Sequence, residues 1–258
     1  MFKKRSIFSF CRSLGRGLLD LLYPPLLICP VCGGSFPKYY GKLRICADCL
    51  KRLPIITPPL CEVCSRPVRG DESSPCAECR REPRFYRRGK AVFLYTGMMR
   101  EILHAAKYDF RPELATAIGT LLAVGVEDIP FYDKIDLIIP VPLHPAKVKS
   151  RGYNQAELIA APVAVSLRKP LQIQTLVRNK LTRSQSKCGR AERKKNIANA
   201  FTVIDGQAVA GKKILLIDDI ATTGYTLSEC ARMLLLAGAK EVNVLTAAIG
   251  VLEENWRT

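Results

Sequence analysis

The sequence lacks the features that mark several large classes of protein. Its 258 residues include one Trp and two His, and 23 acidic residues face 40 basic ones. No uninterrupted apolar run approaches the roughly 18 residues of a membrane-spanning helix, and no heptad or Gly-X-Y repeat runs through the chain. No apolar stretch with a small-residue cleavage site follows the first basic residues, so we expect no signal peptide. With 48% hydrophobic residues, the chain is expected to fold as a soluble, strongly basic protein without a membrane span.

The excess of positive charge is unevenly distributed. Residues 1–90 hold 18 Lys and Arg against 7 Asp and Glu, a net of +11 of the total +17. A second basic segment, residues 178–195, contains eight basic residues and one acidic residue. Such charge predicts a partner that carries phosphates. Composition alone does not choose between a phosphorylated small molecule and nucleic acid.

Cysteine is abundant and closely spaced in the N-terminal third. Eight of the 11 cysteines form four C-x-x-C pairs within 51 residues: Cys29/Cys32, Cys46/Cys49, Cys61/Cys64 and Cys76/Cys79. Each pair can present two thiolates to one ion, and two pairs make a closed tetrahedral site. The spacing therefore predicts two structural zinc ions. Sequential pairing is favoured, and a cross-braced arrangement stays open.

Three other uses of these cysteines are alternatives to zinc binding. A disulfide framework needs an oxidising compartment, whereas the absence of a secretion signal favours the reducing cytoplasm. A thioredoxin-like motif explains one pair and not four, and iron–sulfur proteins usually cluster their cysteines more closely. Since four thiolates leave no open position for a substrate, the zinc sites are predicted to be structural. We predict an N-terminal helix and double zinc ribbon over residues 1–85, and a second domain over residues 86–258.

The second domain has the pattern of an α/β protein. Short apolar runs alternate with stretches of helical periodicity, which predicts a parallel sheet whose ligands bind at the carboxyl ends of its strands. The predicted strands are residues 91–95, 137–141, 214–217 and 241–249. The predicted helices are residues 98–107, 113–126, 154–167 and 226–237.

The most informative motif runs from Ile214 to Thr226. Four apolar residues lead to the adjacent carboxylates of Asp218 and Asp219, and a Thr/Gly loop then opens a helix. Backbone N–H groups at such a loop bind a phosphate, and neighbouring carboxylates accept hydrogen bonds from sugar hydroxyls. The motif therefore suits a ribose 5-phosphate. A capped helix after a strand would explain one acid and one Thr, but not the whole pattern.

This motif resembles the 5-phosphoribosyl-1-pyrophosphate (PRPP) motif of type I phosphoribosyltransferases. The segments Pro140–Pro145, Arg151–Gln155 and Leu176–Arg178 resemble the ComF (competence protein F) family, as do the four C-x-x-C pairs. Ala221 departs mildly, because the family usually has a larger aliphatic residue there. The resemblance implies an α/β parallel sheet of the type I phosphoribosyltransferase fold, with a small N-terminal zinc-ribbon domain.

The resemblance also implies roles for individual residues. Asp218 and Asp219 would bind the ribose hydroxyls, and Mg²⁺ would bridge the ribose and pyrophosphate oxygens. The 5-phosphate would lie on Thr222, Thr223, Gly224, Tyr225 and Thr226. The turn Val141, Pro142 and Leu143 would hold the pyrophosphate together with Arg151. The candidate catalytic cations are Lys107, Arg178 and Arg193.

Two classes of function follow from the resemblance. The first is a phosphoribosyltransferase with an unidentified acceptor, linked to DNA uptake in natural transformation or to DNA utilisation. The second is a single-stranded-DNA-binding module whose PRPP site is regulatory or vestigial, with proteins of the competence machinery as further candidate partners. Four aromatic residues could stack on bases, although core packing in the ribbons is slightly favoured for them: Tyr39, Tyr40, Phe85 and Tyr86.

Overall fold

The computed structural model describes residues 26–37, 43–68, 74–126, 132, 134–180 and 196–250. The chain forms two compact units, Met1–Lys51 and Arg52–Thr258. The first tetracysteine group lies in the first unit, and the second group lies in the same unit as the main sheet. The domain boundary that we predict after residue 85 stays a prediction. The compact units divide the chain earlier, between Lys51 and Arg52.

The first unit is a small ribbon built around a tight turn. Strand β1 (Leu26–Ile28) pairs antiparallel with β2 (Ser35–Pro37), and helix α1 covers Ala47–Lys51. Gly33 has a φ of 73° and its N–H donates to the Cys29 carbonyl at 2.8 Å. Glycine reaches this left-handed conformation at little cost, so the turn can close on the cysteines.

The second unit contains a parallel sheet in the strand order β3–β8–β7–β4. These strands are β3 (Gly89–Leu94), β4 (Leu137–Pro140), β7 (Lys213–Ala221) and β8 (Glu241–Ile249). A separate two-stranded antiparallel sheet pairs β5 (Leu176–Arg178) with β6 (Phe201–Val203). The predicted parallel α/β sheet is confirmed, whereas the two-stranded sheet was not expected.

The helices lie between these strands in the chain. They are α2 (Ala77–Arg81), α3 (Gly97–Tyr108), α4 (Pro112–Val126), α5 (Pro145–Arg151), α6 (Gln155–Leu167), α7 (Gly206–Val209) and α8 (Tyr225–Leu236). Helices α4 and α6 pack closely, because a Cβ at Gly119 would lie 2.5 Å from the Ile159 carbonyl oxygen. Within the described ranges, no helix has the length and apolarity needed to cross a bilayer.

The carboxyl ends of two neighbouring strands are staggered. Strand β4 ends at Pro140, which lies opposite Ile217 of β7. Strand β7 continues beside β8 until Ala221, which pairs with Ile249. Strand β7 is therefore longer than the predicted residues 214–217, and its two carboxylates lie on the part that extends beyond β4.

The second ribbon, residues 52–88, shares one hydrophobic core with the sheet. Ile56 and Tyr86 are buried in the same cluster as Leu216 of β7 and Val244 of β8. The Gly89 N–H, at the start of β3, donates to the Val63 carbonyl at 2.7 Å. This ribbon is therefore joined to the sheet by apolar packing and by main-chain hydrogen bonds.

Candidate functional site

The eight paired cysteines form two groups in sequential order. The ligand atoms of each group all lie within 4.8 Å of one another: Cys29, Cys32, Cys46 and Cys49 in one, and Cys61, Cys64, Cys76 and Cys79 in the other. The sulfurs of Cys32 and Cys46 are 3.7 Å apart, and those of Cys64 and Cys76 are 3.8 Å apart. Tetrahedral coordination with Zn–S bonds of about 2.3 Å places sulfurs about 3.8 Å apart. Both groups therefore fit a structural zinc ion, and the predicted sequential pairing is confirmed.

Main-chain N–H groups face the sulfurs, as thiolate ligands require. The N–H of Cys76 donates to the Cys61 sulfur at 3.1 Å, and that of Gly34 lies 3.4 Å from the Cys32 sulfur. Burial acts to raise the pKa of Cys29, but main-chain hydrogen bonds outweigh it and lower that pKa to about 7. Because the thiolate is the form that binds zinc, these donors favour metal binding.

The acidic pair lies on β7 and is buried. Asp218 is 8% exposed and Asp219 is 3% exposed. The Lys107 ammonium, from the last turn of α3, lies 2.5 Å from Oδ2 of Asp219. The Asp219 N–H donates to Oδ1 of Asp218 at 2.8 Å. The structure thus brings Lys107, predicted as a catalytic cation, into direct contact with the carboxylate pair.

The two carboxylates have opposite protonation preferences. Burial and the negative charge of Asp219 raise the pKa of Asp218 well above its usual range. Burial also acts to raise the pKa of Asp219, but the Lys107 charge and hydrogen bond outweigh it, and that pKa is lowered. The contact with Lys107 therefore favours the carboxylate form of Asp219, whereas burial and the neighbouring negative charge disfavour the charged form of Asp218.

The turn after β4 is anchored on both sides. The Val141 N–H donates to the Ile217 carbonyl at 2.8 Å. The Asn154 side chain donates to the Val141 carbonyl at 3.0 Å, and its oxygen accepts from the Ala156 N–H and so caps α6. Pro142 and Leu143 follow and line a cleft of about 490 Å³, together with His144 and Arg178.

Several cations converge near this turn. Lys147 and Arg151 are four residues apart on α5 and therefore share one face of the helix. Burial and the positive charges of Arg178, Arg151 and Lys107 lower the pKa of Lys147. The Arg178 guanidinium, 8% exposed as a residue, lies 5.4 Å from the centre of the Phe201 ring. This cluster of like charges suits a multiply charged anion.

Lys147 is a residue of this cluster that the sequence analysis does not predict. The signal that could have found it is its spacing from Arg151, which was predicted as a ligand of the pyrophosphate. Arg193, predicted as a catalytic cation, and the aromatics Tyr39 and Tyr40 lie outside the described residues.

The Thr/Gly loop connects β7 to α8. Gly224 is the N-cap of α8, with a φ of 75° and without a side chain to occupy the first N–H groups of the helix. Thr223 and Tyr225 are buried beside it, at 7% and 8% exposure. The first N–H groups of this 12-residue helix therefore have no side-chain cap, which is a suitable arrangement for a phosphate.

Residues of the second ribbon contact the same loop and the first turn of α8. Nη2 of Arg66 donates to the Thr222 carbonyl at 2.5 Å, and the Phe85 N–H donates to the Ser228 hydroxyl at 3.2 Å. The Arg84 guanidinium lies 5.6 Å from the centre of the Tyr225 ring. Neither arginine was singled out from the sequence.

The donor set at the acidic pair fits Mg²⁺ only together with a ligand. Among the described residues, the two cysteine groups are the sole clusters of three or more potential metal ligands. The Asp218 and Asp219 carboxylates alone would not enclose an ion. Mg²⁺ is commonly held by one or two carboxylates and by the phosphates of a substrate, and these residues fit that pattern.

Two family models match the chain. The double zinc ribbon domain matches residues 18–81, and the phosphoribosyl transferase domain matches residues 156–250. The first match spans both cysteine groups, and the second spans β7 and β8 of the sheet with the loop between β7 and α8.

Two relatives match most of this chain and most of their own length. The DNA utilization protein YhgH of Salmonella typhi is 32% identical over 80% of this chain and 89% of its own length. The competence protein ComFC of Bacillus subtilis is 29% identical over 82% of this chain and 90% of its own length. Among solved structures, the glutamine PRPP amidotransferase from B. subtilis has a TM-score of 0.39 and 19% identity, covering 55% of this chain and 30% of its own.

Proposed function

The chain belongs to the ComF family and matches a double zinc ribbon and a phosphoribosyl transferase domain, and on that premise we propose that it binds PRPP with Mg²⁺. One observation carries the proposal: a buried carboxylate pair on β7 is followed by the Thr/Gly loop at the N-terminus of α8. A sugar and its 5-phosphate need these two features side by side.

Each set of site residues would then bind one part of PRPP. Asp218 and Asp219 would bind the ribose hydroxyls, and Thr222–Thr226 would bind the 5-phosphate. Val141, Pro142 and Leu143 would accommodate the pyrophosphate beside the cation cluster of Lys107, Lys147, Arg151 and Arg178. The lowered pKa of Lys147 supports this arrangement, because it reflects burial and positive charges that a bound pyrophosphate would neutralise.

We further propose that the protein is a phosphoribosyltransferase whose acceptor is not identified by the site. Bound Mg²⁺ would neutralise part of the pyrophosphate charge. The bond between C1 of the ribose and the pyrophosphate oxygen breaks, leaving positive charge on the sugar, and a nucleophilic acceptor then bonds to C1. Lys107, Arg151 and Arg178 would stabilise the departing pyrophosphate, with Arg193 as a further candidate cation.

Isothermal titration calorimetry with PRPP and Mg²⁺ tests the binding proposal. The wild-type protein should bind, and the double variant Asp218→Asn, Asp219→Asn should lose binding, because each amide replaces one accepting carboxylate oxygen with an N–H donor and removes the negative charge. Asp48→Asn, at an exposed carboxylate in the first ribbon, is the matched control and should bind like wild type. Unchanged affinity in the double variant would remove the site assignment.

Transferase activity is tested by a different readout. The protein is incubated with PRPP, Mg²⁺ and a metabolite extract, and pyrophosphate release is followed. Release that requires both the extract and intact Asp218 and Asp219 would support transfer to an acceptor. Binding of PRPP without any release would favour the alternative of a regulatory or vestigial site.

Single-stranded DNA is a second candidate ligand. The names of the relatives link them to DNA utilisation and competence, and this chain has a net charge of +17. Phe85 is 52% exposed and could stack on a base, whereas Tyr86 is 4% exposed and packs in the core. We propose a role in DNA uptake or utilisation in the cytoplasm, where proteins of the competence machinery would be partners.

The DNA proposal predicts a steep dependence on salt. If the basic surface contacts several phosphates, affinity for a single strand should fall by about 10³-fold or more between 50 and 200 mM salt. Fluorescence anisotropy with a labelled oligonucleotide measures this, with Phe85→Ala as the stacking variant and Tyr108→Ala, an exposed aromatic, as its control. A flat salt response, or no binding, would contradict the proposal.

A further inference from the structure

Two arginines of the second ribbon are buried against the Thr/Gly loop. Arg66 is 3% exposed, and its Nη2 donates to the Thr222 carbonyl. The Arg84 side chain is 3% exposed, and its guanidinium faces the Tyr225 ring. Within the described part of the chain, Nε and Nη1 of Arg66 and Nε of Arg84 are buried without a hydrogen-bond partner. Burying a guanidinium is costly, so this placement calls for a function beyond packing.

The two C-x-x-C turns of the second tetracysteine group hold both arginines in place. Arg66 follows Cys64 by two residues, and its carbonyl accepts from the Cys61 N–H at 2.8 Å. Ser65 between them adopts a left-handed φ of 61°, a conformation that the closed turn enforces. Arg84 lies 3.7 Å from a carboxylate oxygen of Glu78, which stands between Cys76 and Cys79. Arg66 is therefore held by the Cys61/Cys64 turn and Arg84 by the Cys76/Cys79 turn, and the four cysteines of these turns would bind one zinc ion.

The contact with Thr222 orients the peptide that follows it. In a trans peptide, the carbonyl and the next N–H point in opposite directions. Because Arg66 fixes the Thr222 carbonyl on the side of the ribbon, the Thr223 N–H points to the opposite side. The hydrogen bond thus aims a phosphate-binding donor away from the ribbon.

The backbone conformation explains the glycine in the loop, because a φ of 75° strains any other residue. A Cβ at Gly224 would be in ordinary contact with the ribbon, 3.5 Å from the Tyr86 hydroxyl and 3.6 Å from the central carbon of the Arg84 guanidinium. Loop and ribbon are therefore in contact along Thr222, Gly224 and Tyr225.

We propose that the second zinc ribbon contributes to the phosphate site, in which Arg66 and Arg84 are positioning residues that act through Thr222 and Tyr225. The affinity of the loop for the 5-phosphate then depends on the two C-x-x-C turns of the second tetracysteine group. This inference rests on the proposed binding of PRPP and adds to it a residue set from another part of the chain.

The test measures binding of ribose 5-phosphate and of PRPP with Mg²⁺ by calorimetry. Arg66→Gln should weaken both ligands by about 10- to 100-fold, the range of one charge-assisted hydrogen bond. Arg66→Lys, which keeps the charge and one donor, should recover part of the loss, and Arg84→Gln should give a smaller decrease. Arg80→Gln changes an exposed arginine of the same ribbon, which donates to the Pro75 carbonyl, and should bind like wild type.

A second readout separates positioning from general damage. The ³¹P chemical shift of bound ribose 5-phosphate should move in Arg66→Gln, while zinc content and far-UV circular dichroism stay unchanged. Wild-type affinity and shift in Arg66→Gln, in a protein that binds PRPP, would overturn this inference alone. Loss of affinity in Arg66→Gln without any recovery in Arg66→Lys, and with an unmoved shift, would also overturn it. Absence of binding in the wild-type protein would overturn the proposed function and this inference together.

Discussion

The two tetracysteine groups have the same ligand set and different surroundings. In the first, Cys29 and Cys49 are buried while the Cys32 side chain is exposed, and the group belongs to the compact unit Met1–Lys51. In the second, three cysteines are at most 5% exposed, and Cys64 packs against the core of the sheet. Its turn is followed by Arg66, which donates to the loop after β7.

This difference shows that a structural metal site can have very different consequences for a distant ligand site. Zinc in the first group stabilises the ribbon that contains it. Zinc in the second group stabilises residues that share a core and hydrogen bonds with the sheet, and those residues contact the proposed phosphate loop. The same C-x-x-C spacing therefore predicts the ion in both cases, but not what the ion supports.

Removing one ligand from each group gives the largest expected difference. Structural zinc contributes about 10 kcal/mol or more in small domains, and a folded domain has about 5–15 kcal/mol in total. Cys64→Ser should therefore leave the sheet largely unfolded at room temperature. Cys32→Ser, the corresponding ligand in the first group, should leave the unfolding midpoint of the sheet unchanged. Circular dichroism with zinc analysis measures both, and equal midpoints in the two variants would contradict the comparison.

Buried aromatic residues extend the comparison to apolar packing. Tyr86 is 4% exposed in the core that the second ribbon shares with the sheet, and Phe36 is 6% exposed in the first unit. Tyr86→Ala should lower the free energy of unfolding of the sheet by about 3–5 kcal/mol, as is usual for buried aromatic truncations. Phe36→Ala should leave it unchanged. Urea unfolding followed by the far-UV signal distinguishes them, and a similar loss in both variants would mean that the units are not separate.

The acidic pair provides a pH test of the sheet alone. The pKa of Asp218 is raised in the folded state, so its contribution to stability is present below its unfolded pKa and is lost as pH rises through the folded pKa. Asp218→Asn removes this loss, and the variant should be more stable than wild type at pH 8, by about 1–3 kcal/mol. The difference should vanish towards pH 4. Urea unfolding at several pH values measures it.

Cys32→Ser is the control for this pH test. Because Cys32 belongs to the first unit, its variant should keep the wild-type dependence of sheet stability on pH. A flat wild-type profile, or an Asp218→Asn variant that loses stability at pH 8, would contradict the assigned protonation preference.

The smallest expected effect concerns Gly89, where the second ribbon meets the start of β3. A Cβ at Gly89 would lie 3.2 Å from the Val63 carbonyl oxygen and 3.3 Å from the Tyr86 ring. Gly89→Ala should cost about 1 kcal/mol, because the ribbon must shift slightly to admit a methyl group. Gly34→Ala in the first ribbon, where the nearest atom is the Cys32 sulfur at 3.4 Å, should not change the stability of the sheet. A neutral Gly89→Ala would show that the junction is loosely packed.

Local patterns in the sequence were sufficient for the main elements of the fold. The apolar run before Asp218 predicted a buried strand, and the periodicity of residues 113–126 and 154–167 predicted the helices that became α4 and α6. The C-x-x-C spacing predicted both ions and their sequential pairing. Each of these signals lies within a few tens of residues, where periodicity and ligand spacing are informative.

The features that were missed depend on contacts between distant residues. The hydrogen bond from Arg66 to Thr222 joins positions 156 residues apart, and no local pattern distinguishes Arg66 from other basic residues of the ribbon. The sequence predicts no role for Lys147, because its charged neighbours Lys107 and Arg178 come from other elements. The strand with Asp218 was predicted to end too early, because its pairing with β8 continues after the apolar residues stop.

Hydrogen–deuterium exchange with and without PRPP and Mg²⁺ tests the central claim most directly, namely that the second ribbon and the loop after β7 form one ligand site. Bound ligand should slow exchange in residues 218–226, and also in residues 61–66 and 84–86 of the second ribbon. Exchange in residues 29–37 and 43–49 of the first ribbon should stay unchanged. Protection of residues 218–226 without any change in the second ribbon, or equal protection of both ribbons, would contradict the account.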